Sequence, residues 1–188
     1  MPDVPALDGA ALATAPFLDA PFGPLDGPAT VAIGRSPDMA RLLLRGDAGS
    51  AGAAFGIVLP DRPGNTATAG DRTALWLGPD EWLLVAPVGS LDPKTPMGLG
   101  AVVDVGHRQV GLLVDGAGAE DALATGCPLD LHDRVFPPGR CTRTVFGKAE
   151  IILWRTDHRR FHIEVARSFA DYVLARLTIA ARELDETP

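Results

Sequence analysis

Cys127, His132 and Cys141 first suggest chemistry in this chain, because thiol and imidazole side chains close together in a sequence can bind zinc. A zinc site normally pairs its ligands a few residues apart and needs a fourth donor, and this spacing offers neither. Cys127 also follows the end of a predicted helix, where the partial negative charge of the carbonyl groups disfavours a thiolate. We therefore predict no metal site and no catalytic cysteine, and we interpret Cys127 as a buried structural thiol.

The stretch VVDVGHRQ at 102–109 contains the most conspicuous polar group, His107 followed by Arg108. Asp104 is near in the sequence, but a Ser, His and Asp triad needs a third partner that we cannot place. A histidine near the end of a strand usually forms local hydrogen bonds, and contact with another subunit is the alternative role. For that alternative, His107 and Arg108 are the candidates for partner contact. We assign no catalytic residue.

A glycine-rich segment, GLLVDGAGAED at 111–121, resembles the strand, Gly-x-Gly and helix that open a dinucleotide site. It lacks the third glycine of that motif. Asp115, Glu120 and Asp121 would also place three negative charges beside a pyrophosphate, which is electrostatically unfavourable. We interpret this segment, like RGDAGSAG at 45–52, as a turn with close-packing positions, and we predict no cofactor-binding residue.

Charge is distributed unevenly along the chain. The formal net charge is -7, which argues against a nucleic-acid partner. Residues 134–176 nevertheless carry nine basic and four acidic side chains. This basic region predicts a surface that faces an acidic partner or an anionic ligand such as a folate tail, with a mixed solvated surface as the alternative. Arg143, Arg155 and Arg160 are its candidates for partner contact.

The positions of these side chains depend on two segments with the same order of elements. The first unit, about residues 38–87, begins with an apolar strand at 39–45. Gly46 and Asp47 turn it into a small-residue helix, and a hairpin at 73–85 completes the unit.

The second unit, about residues 101–184, has a strand at 110–114, a helix at 119–125 and a hairpin at 149–166. A long amphipathic helix beginning at Ser168 follows. Two such units predict an α+β fold with a pseudo-repeat of strand, helix and hairpin, and with antiparallel sheets covered on one face by helices.

The return strand of the second hairpin alternates apolar and polar residues. Phe161, Ile163 and Val165 are predicted to face a core, whereas His162 and Glu164 are predicted to be exposed on the other face. An exposed pair indicates either a solvated surface or an interface. His162 therefore joins the candidates for partner contact.

The remaining features bound the kind of protein. Six prolines in the first thirty residues predict an extended N-terminal arm at 1–30, and the α+β domain is predicted at 31–188. The first thirty residues hold no Lys or Arg before an apolar stretch, and no run approaches the roughly 18 apolar residues of a membrane span. Two cysteines are compatible with a reducing cytosol. We expect a cytoplasmic protein without membrane contact.

Several strings of residues together resemble a known family. They are WLGPDEWLLVAP (76–87), VVDVGHRQ (102–109), GCPLDL (126–131), FPPGRCTRT (136–144), GKAEIILWRT (147–156) and FHIEVARSFADYV (161–173). In this order they resemble the gamma subunit of heterotetrameric sarcosine oxidase, over about residues 38–180. The resemblance implies a fold similar to the folate-binding domain of the glycine cleavage T-protein.

The resemblance also implies partners and cofactors. An alpha subunit would bind NAD and tetrahydrofolate, a beta subunit would hold FAD, FMN would lie between them, and a small delta subunit would complete the complex. The complex would demethylate sarcosine to glycine, transfer the one-carbon unit to tetrahydrofolate and form hydrogen peroxide. The gamma chain itself would be non-catalytic and would bind no cofactor alone. The alternatives are a stand-alone folate-binding or aminomethyltransferase-like protein of the same fold, and a self-associating structural module.

Overall fold

The structure, a computed structural model, describes residues 30–92 and 100–186. Within these residues there are ten β-strands and three α-helices. In chain order they are β1 (Ala32–Arg35), β2 (Met39–Arg45), α1 (Ala48–Phe55), β3 (Thr66–Ala69), β4 (Arg72–Gly78), β5 (Glu81–Pro87), β6 (Ala101–Asp104), β7 (Gln109–Asp115), α2 (Ala119–Ala124), β8 (Cys141–Phe146), β9 (Ala149–Asp157), β10 (Arg160–Ala166) and α3 (Arg167–Glu186). Apart from Thr30, the predicted N-terminal arm lies outside the described residues.

The strands form two antiparallel sheets with the same internal order. The first sheet has the order β3-β4-β5-β2-β6, and the second has the order β8-β9-β10-β7-β1. Each unit contributes four strands to its own sheet, with one helix between the first and the second of them. The chain order is β2-α1-β3-β4-β5 in the first unit and β7-α2-β8-β9-β10 in the second. The duplicated α+β fold predicted from the sequence is confirmed.

The fifth strand of each sheet is exchanged between the units. β1 leads into β2 along the chain but pairs with β7, with Ile33 opposite Val114. β6 leads into β7 but pairs with β2, with Val103 opposite Leu43. Because each exchanged strand belongs to the opposite sheet, the two units are joined into a single body. The sequence predicted neither exchange: β1 was not predicted as a strand, and the extended run before His107 was not assigned to a sheet.

The two sheets face each other, and the helices cover their outer faces. Buried side chains from both sheets form the central layer, including Leu75 and Leu83 of the first sheet and Leu113 and Trp154 of the second. A second cluster places α1 against the first sheet, and a third places α2 and α3 against the second sheet. Every sheet therefore has an apolar layer on each side.

Local chemistry explains where α1 begins and ends. The side chain of Asp47 accepts a hydrogen bond of 2.8 Å from the amide of Ser50, which caps the first turn. The helix ends at Gly56, whose φ of 64° lies in the left-handed region that favours glycine. Nearby, Trp82 is buried and its Nε1 donates a 2.8 Å hydrogen bond to the carbonyl oxygen of Pro60. Trp82 therefore packs in the core beneath α1.

The last helix buries one face against the second sheet, as its apolar spacing predicts. Its buried residues are Ala170, Val173, Leu177, Ala180 and Ala181. The helix starts directly after β10, so Ser168 lies inside its first turn, and Phe169 remains 43% exposed. The helix is therefore as predicted, with a start one residue earlier.

Candidate interaction site

Both faces of β10 are buried, so the prediction that His162 and Glu164 are exposed is wrong. Phe161, Ile163 and Val165 pack in the cluster beneath α2 and α3, as predicted. His162 and Glu164 point toward the first sheet, where they are 0% and 1% exposed. The physical reason is that the face opposite the helices is covered by a second sheet and not by solvent.

His162, Glu164 and Arg41 form a charged network between the two sheets. Nε of Arg41 on β2 donates a 2.6 Å hydrogen bond to Oε2 of Glu164 on β10. Nε2 of His162 lies 2.7 Å from Oε1 of Glu164. Nη1 of Arg41 donates to the carbonyl oxygen of Met39 at 2.9 Å. The network is an ion pair that connects the first sheet to the second.

The environment keeps Glu164 ionised. Burial disfavours the charged form, but the hydrogen bond from His162 and the charges of His162 and Arg41 outweigh it and lower the pKa of Glu164. The His162 ring packs against Trp154 at a centroid distance of 5.7 Å, and its Nδ1 has no hydrogen-bond partner among the described residues. Since both oxygens of Glu164 are engaged, the carboxylate serves to hold the sheets together.

A second charged cluster crosses between the sheets at Glu81. Nη2 of Arg45 donates a 2.6 Å hydrogen bond to Oε2 of Glu81 within the first sheet. Arg143 of the second sheet donates to Oε1 of the same carboxylate. The hydrogen bond from Arg143, followed by that from Arg45, outweighs the burial of Glu81 and lowers its pKa. Two separate carboxylates therefore join the sheets.

Arg41 and Glu81 were not predicted from the sequence as site residues. A signal was available, because Arg41 lies inside the mostly apolar strand MARLLLR and Glu81 begins the mostly apolar strand EWLLVAP. A charged side chain inside an apolar strand is normally paired with an opposite charge. Its partner, however, cannot be named before the packing of the two sheets is known.

Two clefts open on either side of the turn at 105–108, which connects β6 to β7. The first cleft has a volume of about 280 Å³, is lined by both sheets and reaches Glu164. The second cleft has a volume of about 300 Å³ and reaches Arg41. Gln109 lines both clefts. The buried ion pair thus forms part of the walls of two solvent-accessible sites.

The structure places four of the predicted partner-contact residues at or near the surface. His107 and Arg108 are exposed on the turn, with His107 in the second cleft and Arg108 in the first. Arg143 is 39% exposed and is paired with Glu81. Arg160 is half-buried and pairs with an aspartate on β7. Contact with a partner stays a prediction for all four.

Arg155 is buried and is not on a contact surface. Its Nη1 donates to the carbonyl oxygens of Leu131 at 2.7 Å and Phe136 at 3.1 Å. Its Nη2 lies 2.6 Å from a carboxylate oxygen of Glu120. The prediction of surface contact is wrong for Arg155, because Glu120 and backbone carbonyl oxygens hold its guanidinium inside the fold, and it is wrong for His162, because the first sheet covers that side chain.

The two cysteines are free and buried. Burial raises the pKa of Cys141 to about 12, so its thiol is not ionised near neutral pH.

Among residues 30–92 and 100–186, no three His, Cys, Asp or Glu side chains are arranged to hold a metal ion. In the same described residues, no helix is both long and apolar enough to cross a bilayer.

The glycine-rich turn after β7 is a close-packing feature, as predicted. A Cβ at Gly116 would lie 2.3 Å from the carbonyl oxygen of Thr30, so a side chain there would displace the backbone. The neighbouring Asp115 pairs with Arg160 at 2.8 Å. Asp115 at this turn therefore forms an ion pair with Arg160 of the same chain.

These features define a class of protein: a duplicated α+β domain with two facing sheets, whose central charged groups are used in packing. Its fold is similar to that of glycine cleavage system aminomethyltransferase T from Bartonella henselae, with a TM-score of 0.59 and 15% sequence identity. The alignment covers 82% of this chain and 49% of that chain. This likeness shows the fold alone.

The chain belongs to the sarcosine oxidase gamma subunit family, whose sequence profile matches residues 46–183. It is 36% identical over 146 residues to sarcosine oxidase subunit gamma of Arthrobacter sp, covering 73% of this chain and 72% of that protein. It is 34% identical over 154 residues to the same subunit of Corynebacterium sp. strain U-96, covering 76% and 75%. The resemblance seen in the sequence is confirmed.

The fold of a solved structure extends this match over nearly the whole chain. A chain of the heterotetrameric sarcosine oxidase from Corynebacterium sp. U-96, solved in complex with pyrrole 2-carboxylate, matches with a TM-score of 0.77 and 28% sequence identity. The match covers 97% of this chain and 97% of that chain.

Proposed function

We propose that this chain is the non-catalytic gamma subunit of a cytoplasmic, heterotetrameric sarcosine oxidase. Its partners are the alpha, beta and delta subunits, and it contributes by packing against them. The complex oxidatively demethylates sarcosine to glycine, transfers the one-carbon unit to tetrahydrofolate and forms hydrogen peroxide. The other subunits hold FAD, FMN, NAD and tetrahydrofolate, and this chain binds none of them alone.

The observation that carries the proposal is the match to a chain of a heterotetrameric sarcosine oxidase over 97% of both chains. A match of equal extent on both sides supports an equivalent part in a complex of the same kind. The internal pairing of the charged groups adds support. Glu164 and Arg155 are both committed to contacts within the chain, and the Cys141 thiol is protonated at neutral pH.

Co-expression tests this proposal. A tagged form of the chain is expressed with the alpha, beta and delta subunits of its own organism and is purified through the tag. We expect the flavin-containing subunits to copurify in a fixed ratio with the tagged chain. The same purification with the exposed substitution Arg176→Gln in the tagged chain is a control, and it should recover the other subunits in the same yield. Recovery of folded tagged chain without any of the co-expressed subunits would contradict the proposal.

Calorimetry separates the proposal from the folate-binding alternative. Tetrahydrofolate is titrated into the isolated chain and, in parallel, into the purified complex. We expect heat of binding with the complex only. Saturable binding to the isolated chain would favour a stand-alone folate-binding protein of the same fold.

A further inference from the structure

The turn at 105–108 carries two exposed side chains, His107 and Arg108, and is hydrogen-bonded to two other elements, β2 and α3. The amide of Val105 donates to the carbonyl oxygen of Arg41 on β2 at 2.9 Å, and the amide of Arg108 closes the turn onto Val105 at 2.9 Å. The amide of Arg167, at the start of α3, donates to the carbonyl oxygen of Arg108 at 2.8 Å. A surface that is already ordered loses little conformational entropy when it binds a partner.

The linings of the two clefts beside this turn contain more arginines than carboxylates, although the chain has a net charge of -7. Their linings contain five arginines and three carboxylates: Arg35, Arg41, Arg108, Arg143 and Arg167, with Asp38, Glu150 and Glu164. Three of the arginines are paired with a carboxylate in the chain. Arg108 and Arg167 are exposed, and the structure shows no carboxylate partner for either among the described residues. Two exposed cationic groups therefore flank the turn without an ion-pair partner among the described residues, and both are available to an anionic group of a partner.

The first cleft also offers an apolar wall, because Leu43 and Leu77 are only partly buried there. A partner with anionic groups and an aliphatic side chain would complement both features.

We propose that the turn at 105–108 and its two clefts dock an acidic, extended segment of another subunit. Carboxylates of that segment pair with Arg108 and Arg167, and an aliphatic side chain lies against Leu43. The inference rests on the proposed function, because it identifies the surface through which this subunit joins the complex.

Charge reversal tests the docking surface. The affinity of the tagged chain for the remaining subunits is measured at low and high salt for the wild type and for the double variant Arg108→Glu/Arg167→Glu. We expect binding at low salt to weaken by about tenfold or more, and its dependence on salt to decrease, because the lost pairs are attractive charges at an interface. The control is Arg176→Glu/Arg182→Glu, which makes the same change of net charge at exposed positions of α3.

A further variant refines the test. Arg108→Glu alone disturbs no side-chain hydrogen bond of the described residues, so it replaces the double variant if that one does not fold.

The outcomes are distinct. Wild-type affinity and salt dependence in the folded charge-reversal variants would overturn the docking surface and leave the proposed function standing. Equal weakening in the control would also overturn it, since the effect would then be one of net charge. Self-association of the wild type that Arg108→Glu abolishes would show that the occupant is a second copy. Failure of the wild type to bind any subunit would contradict the proposed function itself.

Discussion

At the scale of residues, the centre of the molecule depends on the carboxylate of Glu164. It is buried between two sheets and accepts hydrogen bonds from His162 on its own strand and from Arg41 on the facing sheet. Removing one member of a buried ion pair leaves the other charged and unsolvated, and this costs more than the pair contributes. The stability of the contact between the sheets should therefore be sensitive to this single side chain.

Neutralising Glu164 should destabilise the chain strongly. We expect Glu164→Gln to lower the free energy of unfolding by about 3 kcal/mol, because Arg41 stays charged in a buried site. Urea denaturation of the purified chain measures the change. Glu150→Gln, an exposed glutamate on the adjacent strand β9, is the control and should shift the value by no more than about 0.5 kcal/mol. Equal effects of the two substitutions would contradict a role for the buried charge.

The same carboxylate should make stability depend on pH. The pKa of Glu164 is lowered in the folded chain from its ordinary value of 4.5. The unfolded chain therefore takes up the proton first as the pH falls, and the stability from the ionised form is present above 4.5 and is lost as the pH falls toward the folded pKa. We expect the difference in unfolding free energy between wild type and Glu164→Gln to stay nearly constant from pH 7 down to about 4.5 and to shrink as the pH falls further. A difference that is constant with pH would contradict the prediction.

At the scale of elements, local sequence signals decide some parts of the fold and distant pairing decides others. The hairpins β4–β5 and β9–β10 follow from apolar runs separated by turn residues, and both were predictable. β3 and β8 are short strands inside segments rich in Pro and Gly, and β1 and β6 join sheets formed by the other unit. Their pairing depends on contacts far apart in the chain, which no local pattern contains.

The candidate interaction site was also predictable only where local sequence decides its structure. The exposed turn with His107 and Arg108 could be selected from the sequence, because a polar group follows a strand there. The alternation in β10 identified which residues share a face, but it could not show whether solvent or protein covers that face. His162 was therefore predicted to be exposed although the first sheet buries it.

The two inner glycines of α1 should respond to alanine in opposite directions. A Cβ at Gly49 would make an ordinary contact, 3.5 Å from Oδ1 of Asp47, whereas a Cβ at Gly52 would lie 2.4 Å from the carbonyl oxygen of Ile57. We expect Gly49→Ala to stabilise the chain by about 0.5–1 kcal/mol through helix propensity. Gly52→Ala should destabilise it by about 1–3 kcal/mol through steric overlap. Thermal unfolding of the pair compares them, and the same sign for both would contradict the packing described for α1.

At the scale of the whole molecule, the exchanged strands β1 and β6 join two similar units into one body. The buried charges of that body form internal ion pairs, whereas Arg108 on the turn and Arg167 at the start of α3 have no carboxylate partner among the described residues. This distribution agrees with the proposed role of a non-catalytic subunit.

The most direct test of this account is the formation of hydrogen peroxide from sarcosine by three preparations: the isolated chain, the other subunits without it, and the complete complex. We expect peroxide from the complete complex and none from the isolated chain, with or without added flavins. The subunits without this chain should assemble poorly and should recover when it is added. Oxidation of sarcosine by the isolated chain would contradict the claim that it is a non-catalytic subunit.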